Sequence, residues 1–433
     1  MSERNAFRPD INGLRGLSVA LVVAYHLQLR GSGGGFIGVD VFFVISGYLM
    51  TQIIWGGLGR GDFGYGRFLA ARAARIWPAL AVMLCVLLLL GTVLLPPFDL
   101  QILAEQAMRA LVFWSNQFFL DRSGYNTQTA DTNWLLHTWS LSVEWQFYVL
   151  YPLVLMLLAR WGATRRVVFF GLTVLLLASL ACHAVLTATR PDSAFFLLPA
   201  RAWELLAGGL AFLSAGQVAL GAARRRWVAH AGLVLVLVGA LWLAWRRVPA
   251  VGAGWPLLLP VLGAALVLWA NDAEHPVLGH AGLRSLGQWS YSIYLWHWPL
   301  VVALRMTDAF LDQPQLAAFG VAALSVVCGA LSYRWVESYS QQGWVRLRRP
   351  VLAMAAAALL AVGAAVSGGW PGRGEDGAAY GDYLASVRAA YYPDRCSNFM
   401  KTVQDMQVCS VRKASSPPRI LVIGDSHAEQ LYP

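Results

Sequence analysis

Pro78-Ala-Leu-Ala-Val-Met-Leu-Cys-Val-Leu-Leu-Leu-Leu-Gly-Thr-Val-Leu-Leu95 is a run of 18 residues without a charge. A stretch of that length and character, folded as a helix, matches the hydrocarbon thickness of a bilayer. The first expectation is therefore a membrane span. Working outward by hydropathy adds ten more, roughly Gly13–Leu29, Val39–Trp55, Trp139–Trp161, Val167–Leu186, Leu198–Ala215, Val228–Trp245, Val251–Ala270, Trp289–Met306, Leu316–Val336 and Val351–Ser367. The span Val251–Ala270 is interrupted by Gly252, Gly254 and Pro256, and the stretch Leu100–Phe119 mixes charges into an apolar pattern and reads as interfacial. The fold class is an all-α polytopic membrane bundle of about 10–11 helices. Composition agrees, with 58% hydrophobic and 13% charged residues, against about 25% charged in a soluble domain. A large soluble protein with buried helices is the competing reading, and repeated spans flanked by Arg and Trp argue against it.

The net charge of +10 follows the loops rather than one clustered face, so nucleic acid is not an expected partner and membrane lipid is. One side holds Arg4, Arg8, Arg60, Arg67, Arg72, Arg75, Arg160, Arg165, Arg166, Arg224, Arg225, Arg226, Arg284, Arg334, Arg346, Arg348 and Arg349. The other side holds Arg30, Arg109, Arg122, Arg190, Arg246, Arg247 and Arg305. Positive-inside bias then predicts a cytoplasmic N-terminus, and an odd number of spans predicts an extracytoplasmic tail after Ser367. The first apolar run shows no small-residue cleavage site, so no cleavable signal peptide is expected. The tail begins as a Gly-, Asp- and Tyr-rich linker and ends in a strand-like run, Arg419–Gly424. Cys396 and Cys409 lie on the side where disulfides persist and are expected to pair. Cys85, Cys182 and Cys328 fall within spans and read as packing residues.

Charged side chains inside a span are costly, roughly 2.5–3.5 kcal/mol at a helix centre, so each one needs a reason. The first span carries Arg15 and His26. Eleven residues are about three turns, which puts both on one face roughly 16 Å apart along the axis. They suit an elongated ligand or two successive steps; Arg15 snorkelling to the interface beside a hydrogen-bonded core His26 is the plainer reading. Arg72 and Arg75 stand at i and i+3, one helical face suited to phosphate oxygens, or simply to loop charge ahead of a span. Glu144 lies about a turn and a half into its span. Its depth is compatible with a carboxylate contact to His26 that would orient the imidazole as a base. Arg201, Glu204 and His297 have a fair reading as interhelical glue.

Taken together, six segments resemble acyltransferase family 3, the multi-spanning bacterial acyltransferases. They are Arg8 through His26, Phe36-Ile-Gly-Val-Asp40 through Tyr48, Arg67 through Pro78, His137 through Tyr148, Arg201-Ala-Trp-Glu204-Leu, and Ser290 through Pro299. The family's proline two residues after the Glu is missing at Glu337-Ser-Tyr, which unsettles the last cytoplasmic turn and leaves the chemistry untouched. The resemblance implies a membrane domain over residues 1–340 and an additional span over 341–367. It implies that Arg15 and His26 are the family's essential Arg–x10–His pair, with His26 catalytic, and that Arg72 and Arg75 engage the phosphates of the donor; Arg15 is placed with these donor-binding residues, and Glu144, from its depth, with His26 as catalytic. No cofactor is held permanently; acetyl-CoA is the expected donor substrate, and an envelope polysaccharide such as O-antigen or exopolysaccharide the expected acceptor, in the bacterial inner membrane. Peptidoglycan is a second acceptor. A transporter exporting a small metabolite or acyl donor is the reading from another class.

After a linker at 368–418, Ile420-Leu-Val-Ile-Gly-Asp-Ser426-His resembles the first block of an extracytoplasmic α/β SGNH-type domain over 419–433. That second resemblance implies a nucleophilic Ser426. Its remaining catalytic blocks are expected beyond Pro433.

Overall fold

The structure, a computed structural model, describes residues 8–123, 133–161, 164–217, 220–306, 314–338, 348–370, 401–403 and 406–408. Cys396, Cys409, Ser426 and the strand-like run before Ser426 lie outside the described residues. In chain order the helices are α1 (Pro9–His26), α2 (Gly38–Arg60), α3 (Tyr65–Leu94), α4 (Pro97–Leu111), α5 (Ser115–Ser123), α6 (Thr138–Trp161) and α7 (Arg165–Thr189). They continue with α8 (Pro191–Phe196), α9 (Leu198–Ser214), α10 (Ala222–Trp245), α11 (Leu258–Ala270), α12 (Ala281–Arg305), α13 (Pro314–Ser332) and α14 (Arg348–Val366). Near the C-terminus β1 (Lys401–Val403) pairs antiparallel with β2 (Met406–Val408).

Each of the eleven expected spans contains a helix, and among the described residues seven helical segments are long and apolar enough to cross a membrane. The chain is a multi-pass membrane protein. Neither α1 nor α12 is among the seven; both carry the polar side chains described below. Burial orders the rest. In α2, 72% of the apolar window is buried, against 22% in α7 and in α13, so α2 runs through the middle of the bundle while α7 and α13 form its rim. The charged stretch after Leu95 forms α4 and α5, of 15 and 9 residues, too short to cross.

Two boundaries depart from expectation. The span expected from Val251 begins only at Leu258, because Gly252 and Gly254 hold φ of +86° and +60° and a 3-10 turn at Trp255–Leu257 follows. Such backbone is open to glycine and ends any helix. By contrast α3 starts at Tyr65 and runs through Pro78 without breaking, so Arg72 and Arg75 sit on the same helix as the apolar run.

Small residues set the closest helix contacts, as packing in lipid requires. A Cβ on Gly16 would strike the carbonyl oxygen of Leu283, and one on Gly287 that of Asn12, so α1 and α12 touch backbone to backbone. Gly47 and Gly208 do the same for α2 and α9. At the start of α1, Arg8 makes a two-point ion pair with Asp10 (2.8 and 2.5 Å) and donates to the Tyr48 hydroxyl at 3.1 Å, tying α1 to α2.

Candidate active site

The helices α1, α2, α3, α6 and α12 enclose a cavity of about 110 Å³. Arg15 from α1, Arg72 and Arg75 from α3, and Glu144 and Tyr148 from α6 supply its charged and polar edge; Phe42, Phe43, Leu49, Met50 and Ile76 supply apolar wall. Four residues singled out in the sequence, from three helices, therefore meet in one space. Glu144 accepts hydrogen bonds from Ser46 and, at 2.5 Å, from Tyr148. No carboxylate closes an ion pair with Arg15, Arg72 or Arg75 among the described residues, and the buried Nε of Arg72 has no hydrogen-bond partner. Among the lining residues three guanidinium groups stand against one carboxylate, an excess of positive charge that suits an anionic ligand.

A second cluster lies at the far end of α1. His26 is the helix's last residue and is half-buried. Its Nδ1 is 3.0 Å from Nε2 of His297, and His297 Nδ1 is 2.6 Å from the carbonyl oxygen of Tyr294. Trp298 meets the His26 ring edge-on at 4.6 Å, and Arg305 donates to the His26 carbonyl at 3.0 Å. The ring of His137 stands 5.8 Å from that of His297.

The expected contact between His26 and Glu144 is not formed. Glu144 lies six residues into α6, about 9 Å down its axis, and lines the cavity, whereas His26 is not among the lining residues. α12, packed on α1, brings His297 to His26 instead. Tyr294 joins the two places: its ring lines the cavity, its hydroxyl donates to the His137 carbonyl at 2.8 Å, and Ser140 donates to that hydroxyl at 2.6 Å.

Glu337 is a site neighbour that sequence reading set aside as part of a loop turn. It is 2% exposed, accepts from Ser292 at 3.0 Å, and sits on a π-helical turn, Tyr333–Glu337. Such turns cluster at functional sites, and Arg75 and Arg15 are the cations whose fields reach it. A carboxylate directly after an apolar span was the available signal. Arg201, by contrast, does act as glue. It pairs with Asp40 at 2.8 Å and Glu204 at 3.3 Å, and lies over the rings of Phe43, Trp139 and Phe195, knitting α2, α6, α8 and α9 behind the cavity.

A family model described as "Acyltransferase domain" matches residues 8–334. BcsY of Komagataeibacter xylinus, named as a membrane-bound transacylase, is 33% identical over 367 residues, covering 83% of this chain and 91% of BcsY. The peptidoglycan O-acetyltransferase OatA of Listeria monocytogenes is 30% identical over 348 residues, and the O-acetyltransferase OatA of Staphylococcus aureus 28%. Those two alignments cover 76% and 77% of this chain but only 55% and 57% of the relatives, so the chain spans little more than half of either OatA. No solved structure matches the chain.

Proposed function

This chain belongs to the acyltransferase domain family and is an acyltransferase, and from that premise we propose that it moves an acetyl group from cytoplasmic acetyl-CoA across the membrane onto a hydroxyl of an envelope glycan. The observation that carries the proposal is the convergence of Arg15, Arg72 and Arg75 on one apolar-walled cavity. A nucleotide thioester is anionic at one end and slender at the other. Its phosphates pair with the guanidinium groups, and its acyl arm points along α1 toward His26, roughly 16 Å further on. In the net reaction the thioester C–S bond breaks, the acyl carbon bonds to the glycan oxygen, and the hydroxyl proton ends on the CoA sulfur. His26 either takes that proton as a base or carries the acyl group in transit. The two differ in whether an acylated protein accumulates in a single turnover.

The experiment is donor kinetics. Charge-assisted hydrogen bonds contribute about 1.5–3 kcal/mol each, so Arg72→Ala and Arg75→Ala are expected to raise the KM for acetyl-CoA roughly 10- to 150-fold, with kcat changed only a few-fold. A double variant with wild-type KM would remove the donor site from this cavity.

The acceptor is a surface polysaccharide in the first reading. Peptidoglycan is the second, supported by the name of the Listeria relative. Mass analysis of envelope glycans from strains with and without the gene decides between them by which polymer loses its O-acetyl groups. The orientation that serves this reaction has the start of α1 in the cytoplasm and the exit of α14 outside, as the loop arginines suggest. A reporter active only in the cytoplasm, fused after Pro433, is expected to be silent, and a signal from it would reverse the orientation.

A further inference from the structure

The geometry points to His297 as the positioning residue that makes His26 reactive, by holding it in the one tautomer whose free nitrogen is Nε2; this rests on the assignment of His26 as the residue of transfer. The Tyr294 carbonyl oxygen only accepts, so His297 Nδ1, 2.6 Å away, carries the hydrogen. His297 is fully buried, and no carboxylate contacts either ring among the described residues. A charged ring there would be unpaired, so His297 is neutral and its Nε2 is a bare acceptor. The nitrogen facing it across 3.0 Å is His26 Nδ1, which therefore donates. His26 is left with its lone pair on Nε2, the nitrogen not committed to another side chain. In the opposite tautomer two lone pairs would meet across 3.0 Å.

The same hydrogen bond matters during transfer. When Nε2 takes up a proton or an acyl carbon, the His26 ring becomes cationic. Its Nδ1 hydrogen then lies against a neutral acceptor that is itself anchored to backbone. Positive charge is shared across the pair without any group moving. An orienting partner of this kind is a recurring need of a histidine base, and here α12 supplies it: Tyr294 and His297 stand one turn apart on that helix, while α1 supplies His26. The adjoining His137 does not compete, since neither of its ring nitrogens has a hydrogen-bond partner among the described residues.

The test compares His297→Leu, which fills the space without an acceptor, with His297→Gln, whose side-chain oxygen reaches the same region and accepts. Both are assayed as the full chain in membranes of a strain lacking the gene, with acetyl-CoA as donor and CoA release as readout, beside His26→Ala. The expected result is a kcat roughly 10²-fold lower for His297→Leu, a donor KM within about twofold of wild type because the cavity is untouched, and recovery by His297→Gln to within about tenfold. Wild-type kcat in His297→Leu beside an inactive His26→Ala overturns this inference and leaves the proposed reaction standing. An active His26→Ala removes the assignment on which it rests. Equal loss in the Leu and Gln variants, with both eluting and melting as wild type does, reduces His297 to a packing residue. Should His297→Leu fail to fold, His297→Gln decides alone: a kcat depressed 10²-fold in the folded Gln variant overturns the inference.

Discussion

His26→Ala is expected to abolish acyl transfer, with turnover at least 10³-fold below wild type, while the protein inserts and melts normally. General base catalysis contributes about 10²–10⁴-fold, and a nucleophile that carries the acyl group splits one difficult transfer into two easier steps. Two features separate this loss from misfolding. His26 is the last residue of α1, so truncation there removes no buried turn of helix. The bond from Arg305 reaches the backbone carbonyl of residue 26 rather than its side chain, so that tether survives in the variant. Turnover of acetyl-CoA against a melting curve on the same preparation is the measurement. Wild-type turnover in a folded His26→Ala protein would move the chemistry elsewhere in the chain.

The residues that announced themselves in the sequence did so by being in the wrong solvent. Arg15, His26 and Glu144 were legible because a charge or imidazole inside an apolar run needs a reason, and Arg72 and Arg75 because i, i+3 spacing fixes a shared face. Each of those is a property of one helix. What joins helices was hidden. The partner of His26 lies 271 residues away in sequence. Depth along a helix can be counted from its end, but which neighbour meets that depth depends on which helices touch, so equal depth suggested Glu144 where packing delivers His297. Glu337 was missed for a related reason: a π-helical turn carries the α13 helix on past Ser332 and folds the carboxylate back against α12, and no hydropathy window registers a change of helical pitch. The shortened α11 was readable in part, since Gly252, Gly254 and Pro256 were visible as breakers; that both glycines take positive φ was not.

Contact between α1 and α12 brings the second large effect, a loss of fold and chemistry together in Gly287→Val. The Cβ position of Gly287 falls on the carbonyl oxygen of Asn12. That is backbone, which cannot rotate aside as a side chain would, so a branched side chain there separates the two helices. Overpacking of this kind costs about 1–3 kcal/mol or more. The same separation reaches the chemistry. His26 and His297 stand on these two helices at 3.0 Å, and a hydrogen bond is lost beyond about 3.5 Å. Misplacement by 1 Å is enough for roughly a 10²-fold loss in rate. Gly287→Val is therefore expected to melt several degrees lower and to turn over at least about 10²-fold more slowly. Gly320→Ala on α13 is the matched control, because a Cβ there meets nothing within 4 Å; alanine also favours the helix by roughly 0.5–1 kcal/mol, so it should melt no lower than wild type and keep full turnover. Melting by fluorescence-detected chromatography and CoA release on each variant make the comparison. A Gly287→Val protein that matches its parent in both would mean that α1 and α12 do not meet at this glycine, and the pairing of His26 with His297 would lose its support with it.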